Sequence, residues 1–117
     1  MKTSTILGKA RELIRLKSKW CDGVEARDKN GDEVDPWDKT AVKFCANGAV
    51  LKVVGEKKNE TTEDADIAKN YLDVAAIAEG YEDIFDYNDN NGGHKGVQKL
   101  FTKAIKSAKQ DEKEGAK

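Results

Sequence analysis

The sequence predicts a mainly α fold, a compact bundle of about four helices with a short β-hairpin between the first two. Three observations carry this reading. Apolar residues recur at helical spacing in three separate segments. A further run, residues 39–54, is apolar around most of its circumference, as an interior helix of a small bundle would be. The strongest hairpin signal, Asn30–Gly31, stands alone between weakly alternating flanks. A chain of 117 residues suits one domain around a single core. That domain is placed at residues 1–108, and the charged segment 109–117, without apolar anchors, is expected to be a disordered tail.

The first helix is expected over residues 4–19. Ile6, Leu7, Ala10, Leu13 and Ile14 form its apolar stripe, Thr3, Ser4 and Thr5 offer N-caps, and Trp20 ends it before the turn Cys21–Gly23. Val24–Arg27 and Glu33–Val34 then flank Asn30–Gly31, a pair suited to a type I′ turn. Asp35-Pro36 marks a boundary, because the residue before proline avoids the α region, and Asp38 could cap a helix starting near Lys39. That helix is read through residue 54, with Gly55 as its terminator. The β-branched content of "AVLKVV" keeps a strand pairing with the hairpin as the alternative.

A polar loop follows from residue 56. Thr61 or Thr62 then caps a helix whose first turn carries Glu63, Asp64 and Asp66 on the positive end of its dipole. Its stripe is Ile67, Tyr71, Val74, Ala75 and Ala78, widened by Leu72 and Ala76, and Gly80 closes it. Residues 81–86 read as a short helical turn, and a polar, glycine-rich loop comes next. The final helix, 95–108, has the cleanest pattern, with Val97, Leu100, Phe101, Ala104, Ile105 and Ala108 on one face.

Composition excludes several classes of function. Lys and Arg number 21 against 22 Asp and Glu, and the signs are mixed along the chain. Nucleic-acid binding, which needs a clustered basic excess, is therefore not expected. Nor is a membrane span or a secretory leader, since no apolar run is long enough. The expected location is cytoplasmic. Cys21 and Cys45 follow no metal-ligand spacing and read as reduced, structural thiols.

Candidate chemistry is sparse. "DKNGDEVDPWDK" and "DYNDNNGGHKGV" each begin like a calcium loop. Glu33 and Asn91 replace the required glycine, and Lys39 and Val97 the closing glutamate, so no metal is expected. Cys45, His94 and Asp89 could be drawn as a nucleophilic set, but a cysteine inside the most apolar helix is a poor thiolate. "NNGGHKG" lacks the spacing of a phosphate-binding loop. No cofactor and no complete catalytic set emerge. The candidates for ligand or partner binding are Trp20, Trp37, Tyr87, Asn88, Asp89 and His94, aromatic and polar groups beside turns that could line a cleft or docking patch.

"FCANGAV" at 44–50 poses a separate question, since Asn47 and Gly48 are poor interior helix residues. Cys45 and Gly48 read as structural, Gly48 allowing close approach of a neighbouring helix or of the aromatic turn. Asn47 reads as a solvent-edge residue.

Taken together, Trp20 to Gly23, Ala26 to Pro36, Cys45 to Ala49 and Tyr87 to Asp89 give the chain a resemblance to a family of small, uncharacterised bacterial and phage proteins, a domain of unknown function. The resemblance covers nearly everything except the tail. It implies a shared fold and shared positions, and no established activity comes with it. Small size, the lack of a complete catalytic set and the family's phage occurrence together lead to the expectation of a non-enzymatic binding or regulatory protein acting on a host or defence component in the host-cell cytoplasm. The partner would be a protein or a small ligand. The alternative is a small enzyme or nucleotide-binding protein using Tyr87, Asn88 and Asp89 with His94 and Trp20.

Overall fold

The computed structural model describes residues 1–55, 62–90 and 93–115. Among these residues, five helices and one two-stranded antiparallel sheet appear in the order α1 (Thr3–Leu13), a 3-10 turn (Lys17–Lys19), β1 (Ala26–Arg27), β2 (Lys43–Phe44), α2 (Ala46–Gly55), α3 (Thr62–Ala78), α4 (Ile84–Asn90) and α5 (His94–Gly115). The mainly helical expectation holds, with one helix more than the four expected. α1 packs on both α2 and α5, and α3 completes the bundle against α5 and α2, while the short α4 closes one end. Ile6, Leu7, Ala10 and Ile14 meet Val50, Leu72, Leu100 and Phe101 in a single core.

α1 stops earlier than its apolar period suggests. The backbone turns away after Leu13 because residues of α5 take its last carbonyls. His94 Nε2 lies 2.6 Å from the Ile14 oxygen, and Gln98 Nε2 donates to the oxygens of both Arg11 and Ile14. Such side-chain donors satisfy carbonyls that a helix end otherwise leaves open. The start of α1 is also closed from α5. None of Thr3, Ser4 or Thr5 caps it; Glu112 accepts hydrogen bonds from the Ser4 amide at 3.0 Å and the Ser4 hydroxyl at 2.6 Å. α5 accordingly runs to Gly115, so residues 109–115, expected as tail, continue the helix.

The turn at 28–32 forms, in a different type from the one expected. Gly31 N–H reaches the Asp28 oxygen, Asp28 N–H reaches the Asp32 oxygen, and only Gly31 has positive φ, at 86°. This is a type I turn closed by a left-handed glycine. Asp28 Oδ1 accepts from the amides of Asn30 and Asp32, which commits the would-be calcium ligand to the turn. Glu33 makes only an isolated bridge to Arg27, and the true partner of β1 is β2, with Ala26 opposite Phe44.

Lys43–Phe44 therefore lies in a strand where a helix from Lys39 was expected. Asp38 does not cap that helix either, because its Oδ1 accepts from both the amide and the hydroxyl of Thr40. Helix begins only at Ala46, with Gly55 its last described residue. The "AVLKVV" segment is helical, so the strand is neither of the two pairings weighed. The loop read from residue 56, and the choice of Thr61 or Thr62 as cap of α3, lie outside the described residues.

α3 ends as expected at Gly80. Its φ of 94° lets Tyr81 N–H reach back to the Ala76 oxygen and Gly80 N–H to that of Ile77. Its buried face is Ala65, Ala68, Leu72 and Ala76, whereas Ile67 and Val74 of the expected stripe are exposed. The small residues face inward, so α3 lies close to its neighbours and turns the bulkier apolar stripe outward. α4 also differs from its expectation, covering 84–90 rather than a turn at 81–86. Asp73 Oδ1 accepts from the Ile84 amide and Asp83 Oδ1 from that of Asp86, which fixes the start of this short helix.

Candidate functional site

The fixed start of α4 delivers Tyr87, Asn88 and Asp89 against the turn at 20–23 and the first turn of α2. Asn88 is 2% exposed, and its amide is fully used. Oδ1 accepts from the Trp20 indole at 2.9 Å and from the Ala46 amide at 3.0 Å; Nδ2 donates to the Cys21 carbonyl at 3.2 Å and to Asp89 Oδ1 at 3.0 Å. One side chain thus caps α2, holds the indole and fastens the 20–23 turn. Asp89 Oδ1 also accepts from the Gly23 amide. The His94 ring lies 5.9 Å from that of Trp20, tilted by 52°, while its Nε2 contacts Ile14.

The structure therefore brings Trp20, Asn88, Asp89 and His94 together and keeps Tyr87 beside them. Tyr87 packs edge-on against Tyr81 with centroids 4.9 Å apart, and its hydroxyl donates to the Gly96 carbonyl. Burial raises its hydroxyl above the ordinary value. Trp37 is not part of this cluster. It lies 57% exposed in the loop between Asp35 and Ala41.

Both thiols are free and buried. Cys45 occupies the N-cap position of α2, its carbonyl accepting from Ala49 and its Sγ from the Gly48 amide at 3.3 Å. A sulfur acceptor fills the role that a hydroxyl or carboxylate usually plays there. Burial pushes the Cys45 thiol up to about 12 and Cys21 to about 11, opposite to what an activated nucleophile requires. His94 and Cys45 serve different helix ends, at α1 and α2 respectively.

Gly48 answers to a backbone rather than to a helix or the aromatic turn. A Cβ added there would lie 1.8 Å from the Glu25 oxygen and 2.8 Å from the Glu25 carbonyl carbon. The segment leading into β1 runs directly over the first turn of α2, held by the Cys45 amide donating to the same Glu25 oxygen. Asn47, expected at the solvent edge, is 6% exposed and donates through Nδ2 to the Glu25 carboxylate at 2.9 Å. Asn47 and Gly48 thus receive the same passing strand, one through its side chain and one through lacking a side chain.

Sequence reasoning missed the exposed face of α3. Ile67, Val74 and Ile77 are 43%, 58% and 57% exposed. Val74 borders two shallow hollows of about 550 and 320 Å³ along the groove between α3 and α5, and Ile67 lines the larger. The stripe was visible in the sequence; its outward direction was not. Among the described residues, no three His, Cys, Asp or Glu side chains converge to hold a metal ion, and no helix is long and apolar enough to cross a membrane.

The chain is a member of the family of unknown function DUF6197, whose model matches residues 1–107. Neither the curated proteins nor the solved structures compared with it include a match.

Proposed function

We propose that this is a small non-enzymatic binding or regulatory protein that takes a protein partner through Trp37. The observation that carries the reading is a largely exposed tryptophan on a braced loop. Pro36 is buried beneath it, Asp38 N–H reaches the Asp35 oxygen, Ala41 N–H reaches the Asp38 oxygen, and Asp38 binds Thr40 twice. The Thr40 hydrogen bonds hold the Asp38 carboxyl below its ordinary value, so it keeps its charge and its turn. Tryptophans on ordered loops make effective anchors because they bring large apolar area at small conformational cost. The Asn88 cluster supports this reading by contrast, since its polar atoms are already committed to the fold. Action on a host or defence component is the extension that the family resemblance suggests.

Trp37→Ala is expected to leave the melting temperature within a few degrees of wild type and to weaken partner binding about tenfold or more. Quantitative affinity capture with both proteins, followed by titration of the recovered partner, measures this. Capture unaffected by the substitution would overturn the role of Trp37. A melting temperature raised by nucleotides or metal ions would instead favour the small enzyme or nucleotide-binding protein, because a ligand that binds only the folded state stabilises it.

A further inference from the structure

We propose that Cys21 and Cys45 are a redox latch, two thiols placed to close into an intramolecular disulfide across the segment 21–45. Backbone register puts them side by side. Trp20 forms a parallel bridge with Phe44, and the Cys21 amide donates to the Phe44 carbonyl at 3.1 Å. Cys21 and Cys45 are the next residues along the two strands, which at such a bridge lie about 4.8 Å apart. A disulfide spans roughly 4.4–6.8 Å between Cα atoms, so the two backbones are within its reach. Extended chains send successive side chains to opposite faces. Trp20 and Phe44 join the main core, whereas Cys21 and Cys45 are buried outside it, on the other face together. Asn88 ties the same point from the side, one carboxamide reaching both the Cys21 carbonyl at 3.2 Å and the Ala46 amide at 3.0 Å.

In the reduced protein each sulfur makes one weak contact: Cys21 Sγ donates to the Val24 carbonyl at 3.7 Å, and Cys45 Sγ accepts from the Gly48 amide. Closing the latch takes a two-electron oxidant of the disulfide class, such as oxidised glutathione. One cysteine thiolate attacks it, forming a mixed disulfide and expelling a glutathione thiolate. The second cysteine attacks the protein sulfur of that mixed disulfide and expels the other glutathione. The two protons lost by the cysteines end on the two released thiols. Burial holds both cysteines protonated, so the folded chain exchanges slowly and keeps the state set when it folds. The ring so closed contains β1, the turn at 28–32, the Trp37 loop and β2. Joining its ends restricts the unfolded chain and thereby favours the fold.

The test refolds the reduced full chain from urea into mixtures of oxidised and reduced glutathione, followed by acid quenching and intact mass spectrometry. A monomer about 2 Da lighter than the reduced chain, with no glutathione attached, is expected. The equilibrium constant for closing the disulfide should be about tenfold or more above the one measured in urea, since a bond that favours the fold is favoured by it equally. Oxidised protein should melt about 5 °C or more above reduced protein, and dithiothreitol should reverse the rise. Cys21→Ser should show no rise in the oxidising buffer. A native constant no higher than that in urea would overturn the proposal. So would a lower melting temperature on oxidation, recovery of mixed disulfides or intermolecular dimers alone, or a rise that persists in Cys21→Ser.

Discussion

Replacing Asn88 by alanine would strand the Ala46 amide and the Cys21 carbonyl at buried positions and the Trp20 indole N–H at a partly buried one. Each buried polar group left unpaired costs about 1–3 kcal/mol, so Asn88→Ala is expected to cost on the order of 3–5 kcal/mol in denaturant unfolding. Gly48 makes a second test at this scale. A methyl group meeting the Glu25 carbonyl requires the backbone to move, and Gly48→Ala should cost about 3 kcal/mol or more. The contrast is Gly8, in the middle of α1 with nothing within 4 Å of an added Cβ, where alanine should stabilise by about 0.5–1 kcal/mol. Chemical denaturation of both glycine variants measures the difference. The oddity of Gly48 was legible from residues 44–50; its cause was not, because Glu25 reaches it through an unrelated segment.

Helix ends show where local pattern loses to distant partners. The apolar period of α1 runs on through Ile14, yet His94 and Gln98 capture the carbonyls there and the helix closes. At the other end, Glu112 stands where a local Thr or Ser was expected. The Ser4 hydrogen bonds hold the Glu112 carboxyl below the ordinary 4.5. Its folded pKa is thus depressed, so this contact contributes fully above about pH 4.5 and is lost as pH falls through the folded value. Melting curves recorded from pH 7 down to pH 3 should show wild type losing stability over the acid end of that range. Ser4→Ala, already lacking the hydroxyl contact, should lose less. α5, with its unbroken stripe from Val97 to Ala108, was legible in register and burial, except that Ile105 is only partly covered. α3 offered two stripes, one of alanines with Leu72 and one of larger residues. The close packing that buries the alanine face has no signature in the sequence of α3 alone.

At the scale of the whole molecule, the helical class, the core faces of α1 and α5, and the turns at Gly31 and Gly80 could be read from short-range spacing. The sheet and the site could not. Phe44 pairs with Ala26 and also bridges Trp20, and Trp20, Cys21 and Ala46, which Asn88 binds, lie 42 to 68 residues from it, distances at which periodicity carries no information. The sequence marked Trp20, Asn88, Asp89 and His94 as a group worth attention. The structure turns that group into the fastening between the segment that follows α1 and the helices α2, α4 and α5, and leaves Trp37 as the exposed candidate.

The capping of α1 by α5 also bears on how the chain reaches its native state. The carbonyls of Arg11 and Ile14 find their donors at His94 and Gln98, 80 to 87 residues later. The closing carbonyls of the first helix therefore gain these partners only once α5 is in place. Bringing such remote segments together costs loop-closure entropy before the contacts return anything, which slows folding. Until then the apolar face of α1 has only α2 and α3 to cover it. Closure of the end of α1 is therefore expected to wait on the docking of residues 94–98.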